Sequence, residues 1–406
     1  MGACCSTDFH VGVDDSVEDN TIDEDEHDDD NVAIVDDGAR MRVNGSSKFV
    51  SMYTQQGRKG VNQDAMTVWE DFTGDKDMFF CGVFDGHGPF GHKVARHVRN
   101  TLPSRLSTSI RSAQAKPVNS DAVEGYESGN NENCQEETVQ FSSWEKFFVK
   151  SFKDMDEELS IDSSIDSFCS GATAVTVVKK GNLLVVGNLG DSRALLCTRG
   201  PNSQLIAEQL TTDLKPNISS EAERIKKCNG RVFAIADDPD VFRIWMPDED
   251  CPGLAMARAF GDFCLKDYGL ISVPQVTFRR LTKNDEFVVL ATDGVWDVLS
   301  NSDVVKIVSS VRNRSLAAKI LVKFAVQAWR VKYPGSKVDD CAVVCLYLKK
   351  RTTLTRTFSE VSRVSVNHTE LAENYSEVSR ASIHRSEIAA MPRKSGTIRE
   401  RHIKND

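Results

Sequence analysis

Strands that come in consecutive pairs, with helices that also come in pairs, predict an α+β fold of stacked layers rather than alternating βαβ units. Three stretches carry this reading. Residues 170–178 are β-branched and run into Lys179-Lys180-Gly181-Asn182, a hairpin turn signal, before 182–188 returns as a second strand. Two helices are expected to follow one another at about 91–102 and 144–159. Two apolar strands, 287–291 and 342–348, enclose a helical stretch at about 303–331.

Taken in order, 49–53 is a first strand and 65–69 a second. Between them lies the loop Gln56-Gly57-Arg58-Lys59-Gly60-Val61-Asn62-Gln63-Asp64. The apolar run Met78-Phe79-Phe80-Cys81-Gly82-Val83-Phe84 is a third strand. The helix from about Gly91 should end at Pro103, which supplies no N–H. Residues 107–142 are rich in Ser, Asn, Glu and Gln with little periodicity and are expected to form a surface insertion. In the next helix Trp144, Phe147, Phe148, Phe152 and Met155 recur every three or four residues, a core-facing stripe. Residues 193–197 make a further strand and 221–227 a short helix. Cys341 and Cys345 lie four apart on one strand face and are expected in the core.

Composition sets limits. The chain has 406 residues, 40% hydrophobic, enough for one large core or two modest ones. A formal net charge of -10 argues against general nucleic-acid binding. No Lys or Arg occurs between Phe9 and Gly38, where acids crowd, so residues 1–45 are expected to be a disordered acidic arm. Eleven cysteines with no Cys-x-x-Cys pair and no secretory signal point to reduced thiols in a cytosolic setting. The start, Met1-Gly2-Ala3-Cys4-Cys5-Ser6, fits N-myristoylation at Gly2 with palmitoylation at Cys4 and Cys5. Two acyl groups give stable anchoring where one is marginal. The expected location is therefore the cytoplasmic face of a membrane, the plasma membrane first, with a soluble cytosolic or nuclear pool. Residues 350–406 are rich in Ser and Arg and repeat Ser359-Glu360-Val361-Ser362-Arg363 as Ser376-Glu377-Val378-Ser379-Arg380, the pattern of a flexible tail.

The chemistry is concentrated where apolar runs end on acids. Asp85-Gly86-His87-Gly88 closes the third strand. Similar ends occur at Gly190-Asp191-Ser192, at Asp293-Gly294-Val295-Trp296-Asp297 and at Val338-Asp339-Asp340. A strand-end carboxylate suits a hard divalent cation, and glycine lets a backbone carbonyl approach the same ion. His87 stands two residues away, within reach of what the ion activates. A metal-dependent hydrolase is the expected class.

The ordered set Asp85-Gly86-His87-Gly88, Ser170-Gly171-Ala172-Thr173-Ala174, Asn188-Leu189-Gly190-Asp191-Ser192-Arg193, Ala257-Arg258-Ala259-Phe260-Gly261-Asp262 and Asp293-Gly294-Val295-Trp296-Asp297 resembles the type 2C, metal-dependent (PPM) protein serine/threonine phosphatases, in a plant-type form. The likeness covers about residues 46–349, which would be the catalytic domain. It implies an α-β-β-α sandwich of two antiparallel sheets, each covered by a helix pair. It also implies two Mg²⁺ or Mn²⁺ ions at one end, with a weaker third ion possible, and a bridging water that attacks phosphorus. Carried over by motif, Asp85 bridges both ions, the Gly86 carbonyl binds the first, and Asp293 and Asp340 hold the second. Asp64 binds an ion or its water, Asp191 and Asp262 lie close by as the ligands of the weaker third ion, and His87 protonates the leaving oxygen. Arg258 is expected to brace the metal acids.

Three positions depart from the family pattern: Lys59 stands where Arg usually grips substrate phosphate, Gln63 replaces Glu, and Cys341 replaces Asn. A lysine cannot make the bidentate contact of an arginine. The expected partners are phosphoproteins and a membrane, and the expected state is a monomer. A weakly catalytic binding module and a hydrolase of small phosphorylated molecules remain the competing classes.

Overall fold

The computed structural model describes residues 32–114 and 132–349. The lipidation-type start (Gly2, Cys4, Cys5), most of the acidic arm and the Ser/Arg-rich tail lie outside the described residues. Two antiparallel sheets pack face to face. In one, the strands run in the order Val32–Val35, Ala39–Arg42, Asp64–Glu70, Met78–His87, Ala174–Lys180, Leu183–Leu189, Gln275–Arg280. In the other the order is Leu205–Gln209, Arg193–Arg199, Asp285–Ala291, Cys341–Tyr347, Val50–Gln55, Gly45–Ser46. A small third sheet joins Arg231–Ile235, Asp238–Trp245 and Pro252–Leu254.

Alternation along the strands makes the layers. Met66, Val68, Val83, Val175, Val177 and Val186 of the first sheet meet Met52, Leu196, Val288, Leu290, Val344 and Leu346 of the second in an apolar interior. The opposite face of the first sheet packs on the helices Gly91–Gln114 and Glu132–Ile161, through Phe80, Phe84, Leu102, Phe148 and Phe152. The opposite face of the second packs on Asn301–Ser310 and Ala317–Lys332, through Val289, Val343, Leu321 and Trp329. This is the α-β-β-α sandwich. Both cysteines at 341 and 345 are buried in it, as is the stripe Trp144, Phe148, Phe152 and Met155.

Four expectations change. The helix that should stop at Pro103 continues to Gln114 with the proline inside. Leu102, Leu106 and Ile110 keep one buried face across it, and that burial outweighs the missing hydrogen bond. The supposed insertion at 107–142 is accordingly helical at both ends, through Gln114 and from Glu132. The acidic arm does not extend to residue 45: Val32–Val35 and Ala39–Arg42 pair with each other, and the latter with Asp64–Glu70. Buried Ala39 and Arg42 and the contact of Arg40 with Glu70 at 3.1 Å secure that edge. The long helical stretch near 303–331 is two helices, the first capped by Ser300 and Asp303 holding each other's backbone N–H.

Candidate active site

The strand ends that carry the acids meet at one end of the sandwich. Asp64 begins one strand of the first sheet, and Asp85 lies directly opposite it near the end of the next. Two like charges facing each other across a strand pair are destabilising unless something positive joins them. From the second sheet, Asp293 follows Asp285–Ala291 and Asp339 precedes Cys341–Tyr347, whose register pairs Ala291 with Val343. Asp191 lies in the connection by which the chain passes from the first sheet to the second.

The packing that brings these acids together is tight. Gly86 lies against another backbone segment, since a Cβ there would come within 2.4 Å of the Gly91 carbonyl oxygen. A Cβ on Gly294 would fall 1.9 Å from the Asp340 carbonyl oxygen, so that turn admits glycine alone. The Trp329 indole N–H donates to the Gly294 carbonyl at 2.6 Å and fixes the turn from the helix side. Asp85 is pinned by its backbone: its carbonyl accepts from the Thr173 N–H at 2.8 Å, and its N–H donates to the Thr173 hydroxyl at 3.3 Å.

The electrostatics of the set are one-sided. Burial pushes the Asp85 carboxyl well above the ordinary range, and the charges of Asp64, Asp339 and Asp191 push it further. Burial and then Asp85, Asp191, Asp339 and Asp297 do the same to Asp293. Asp64 is raised by burial despite a 2.8 Å hydrogen bond from the Thr292 hydroxyl, with Asp340, Asp293 and Asp339 adding to it. Two ammonium groups answer part of this charge. Lys59 pairs with Asp339, and Lys215 lies 3.3 Å from Asp191 Oδ2. Among the described residues, Asp191 Oδ1 is buried with no hydrogen-bond partner.

Such a donor set fits a hard divalent cation. Among the described residues no three His, Cys, Asp or Glu side chains form an ion cage by themselves. Asp85, Asp293, Asp339 and the Gly86 carbonyl would hold Mg²⁺ or Mn²⁺ together with water, the coordination that Mg²⁺ prefers.

The structure redistributes several expected roles. Asp340 is held by the loop that precedes Asp64: its two carboxylate oxygens accept from the Gly57 N–H at 2.7 Å and the Gln63 N–H at 2.8 Å, while its charge bears on Asp64. Asp339, one residue earlier, is the carboxylate that couples to Asp85 and Asp293. Asp262 is committed to His87, with 2.6 Å between its Oδ2 and His87 Nε2. A Cβ on Gly171 would lie 2.1 Å from that oxygen, so glycine makes room for the pair. Arg258 braces Glu221 rather than the metal acids, by contacts of 2.6 and 2.9 Å. Lys59 sits on Asp339, whereas the side chain of Arg58 is exposed and has no partner among the described residues. Sequence reasoning also passed over Lys215 and Asp297. The latter stands four residues after Asp293 on one helical turn, a spacing that was open to notice.

Comparison with known proteins agrees with this geometry. The family model "Protein phosphatase 2C" matches residues 49–331. This chain belongs to that family. It is 55% identical over 352 residues to probable protein phosphatase 2C 65 of Arabidopsis thaliana, which spans 86% of this chain and 89% of that relative. It is 58% identical over 307 residues to probable protein phosphatase 2C 73 of Oryza sativa subsp. japonica, covering 75% of this chain and 73% of that one. A solved serine-threonine phosphatase 2C from Toxoplasma gondii shares the fold, with TM-score 0.66 at 24% identity over 77% of this chain and 99% of that one. The chain is thus a phosphatase 2C enzyme on the α-β-β-α scaffold of that family.

Proposed function

We propose that this phosphatase 2C hydrolyses phosphoserine and phosphothreonine in proteins, and that it depends on two Mg²⁺ or Mn²⁺ ions. The cross-strand facing of Asp64 and Asp85, with Asp293 and Asp339 brought to them from the second sheet, carries the reading. Bound there, the ions would supply a water deprotonated near neutral pH and neutralise charge on the reacting phosphate.

The chain's own residues supply the rest. His87 has two ring nitrogens with separate tasks. Burial works against its protonation, but the charge of Asp262 and the hydrogen bond to it win, with Asp191 assisting, and they hold the imidazole above its ordinary range. With Nε2 facing Asp262, Nδ1 is buried and has no hydrogen-bond partner among the described residues, and it would be the nitrogen left to carry a proton to a leaving serine or threonine oxygen. Arg58 and Lys59 place positive charge at the edge of the cleft, where a phosphate dianion would be drawn in. The membrane tether expected from Gly2, Cys4 and Cys5 has its support in the sequence alone. Among the described residues no helix is long and apolar enough to cross a membrane.

One assay tests the activity: phosphate release from a phosphothreonine peptide and from small phosphate esters, with Mn²⁺, with Mg²⁺ and with chelator. Peptide hydrolysis that the chelator abolishes is expected. Hydrolysis of the esters alone would make this a small-molecule phosphatase, and no release from either would make it a binding module.

A further inference from the structure

The segment between the strands Val50–Gln55 and Asp64–Glu70 crosses from the second sheet to the first and carries Arg58 and Lys59. With Gly57 and Gly60 in seven residues, it would sample many conformations on its own. Three backbone contacts to residues 338–340 hold it instead. The Arg58 N–H donates to the Val338 carbonyl at 2.7 Å. The Gly57 N–H donates to Asp340 Oδ1 at 2.7 Å, and the Gln63 N–H to Asp340 Oδ2 at 2.8 Å. A single buried carboxylate therefore grips both ends of the loop. The approach is close, since a Cβ on Gly57 would lie 2.3 Å from the Val338 carbonyl oxygen. At the far end the Gln63 carbonyl accepts from the Gly86 N–H at 3.2 Å, which ties the clamped loop to the metal-side strand.

We propose that Asp340 is a positioning residue for the substrate phosphate: it clamps the 57–63 loop so that Arg58 and Lys59 are presented to the cleft in one arrangement. In this chain the clamp uses both oxygens of the carboxylate. Two N–H groups arrive at two different oxygens, and an asparagine has one acceptor oxygen and one NH₂. In Asp340→Asn the amide would accept one N–H and set its own donors against the other. The loop would be released at one end and the phosphate grip blurred, while Asp85, Asp293 and Asp339 stay in place.

The inference rests on the phosphatase reading for its choice of substrate, but not for its structural half. Hydrogen–deuterium exchange on the full chain reads the clamp directly. Asp340→Asn should speed exchange of the 57–63 backbone about tenfold, the effect of about one lost buried hydrogen bond, with the strand Leu183–Leu189 unchanged. In steady-state assays with a phosphothreonine peptide, KM should rise about tenfold with kcat within about twofold of wild type. Mn²⁺ affinity measured by calorimetry should not move. A tenfold loss of Mn²⁺ affinity would make Asp340 an ion ligand and overturn the proposal, as would unchanged loop exchange or an unchanged KM. Uniformly faster exchange through both sheets would show a merely structural role and overturn it equally. If wild type releases no phosphate from the peptide, the activity reading fails while the exchange result still decides the clamp.

Discussion

Buried acids in two regions of this molecule are treated in opposite ways. Glu221 is wrapped by arginines: Arg258 reaches it at 2.6 and 2.9 Å and Arg224 at 2.6 Å. Burial would raise its carboxyl, but those hydrogen bonds and charges overcome it and hold Glu221 below the ordinary range. In the cleft, burial and mutual repulsion push Asp64, Asp85 and Asp293 upward. One acid is neutralised by its own chain, as a structural brace requires. The others are left short of positive charge, as a site built around a cation requires. Burial by itself separates neither case from the other; the partners do.

The largest effect that could break this comparison is in the cleft. Asp293→Asn should lower phosphatase activity on the order of 10³-fold, because a neutral amide is a poor ligand for a hard cation and several kcal/mol of charge stabilisation go with it. The same change should raise the melting temperature of the chelator-treated protein, since it removes one repelling charge. A variant that loses activity and also melts earlier without ions would show that Asp293 has a structural role instead.

Glu221→Gln should do the reverse. Removing one partner from a buried ion-pair network costs about 3 kcal/mol, so the melting temperature should drop by several degrees with Mn²⁺ affinity unchanged. If calorimetry finds weakened Mn²⁺ binding in this variant, the two acid groups are not independent.

The smallest effect is in the pH dependence of the brace. Because the folded Glu221 carboxyl lies below its unfolded value, its stabilisation is fully present above about pH 4.3 and is lost as pH falls through the lower, folded value. Wild-type melting temperature should therefore fall more steeply than that of Glu221→Gln below about pH 4.3. Parallel acid limbs in the two proteins would remove Glu221 from the account.

Much of this is legible in the amino-acid sequence. Strand ends closing on Asp-Gly announce a cation site, since the chemistry is local: a carboxylate, a carbonyl that glycine exposes, and a histidine two residues on. Period-two strands and the aromatic stripe at 144–155 announce layers for the same local reason. The choice between Asp339 and Asp340 was not legible, because adjacent acids at a strand end differ only in the face they take. That face is fixed by which backbone N–H groups arrive from residue 57 and residue 63, on another strand pair. Nor could the sequence show that Arg258 serves Glu221, or that Pro103 would be carried within a helix by Leu102, Leu106 and Ile110. The sequence by itself determined which chemistry this chain can perform and the order of its elements. The tertiary structure decided which carboxylates share a cavity and which are answered by arginine, because charge is set by neighbours across space and not along the chain.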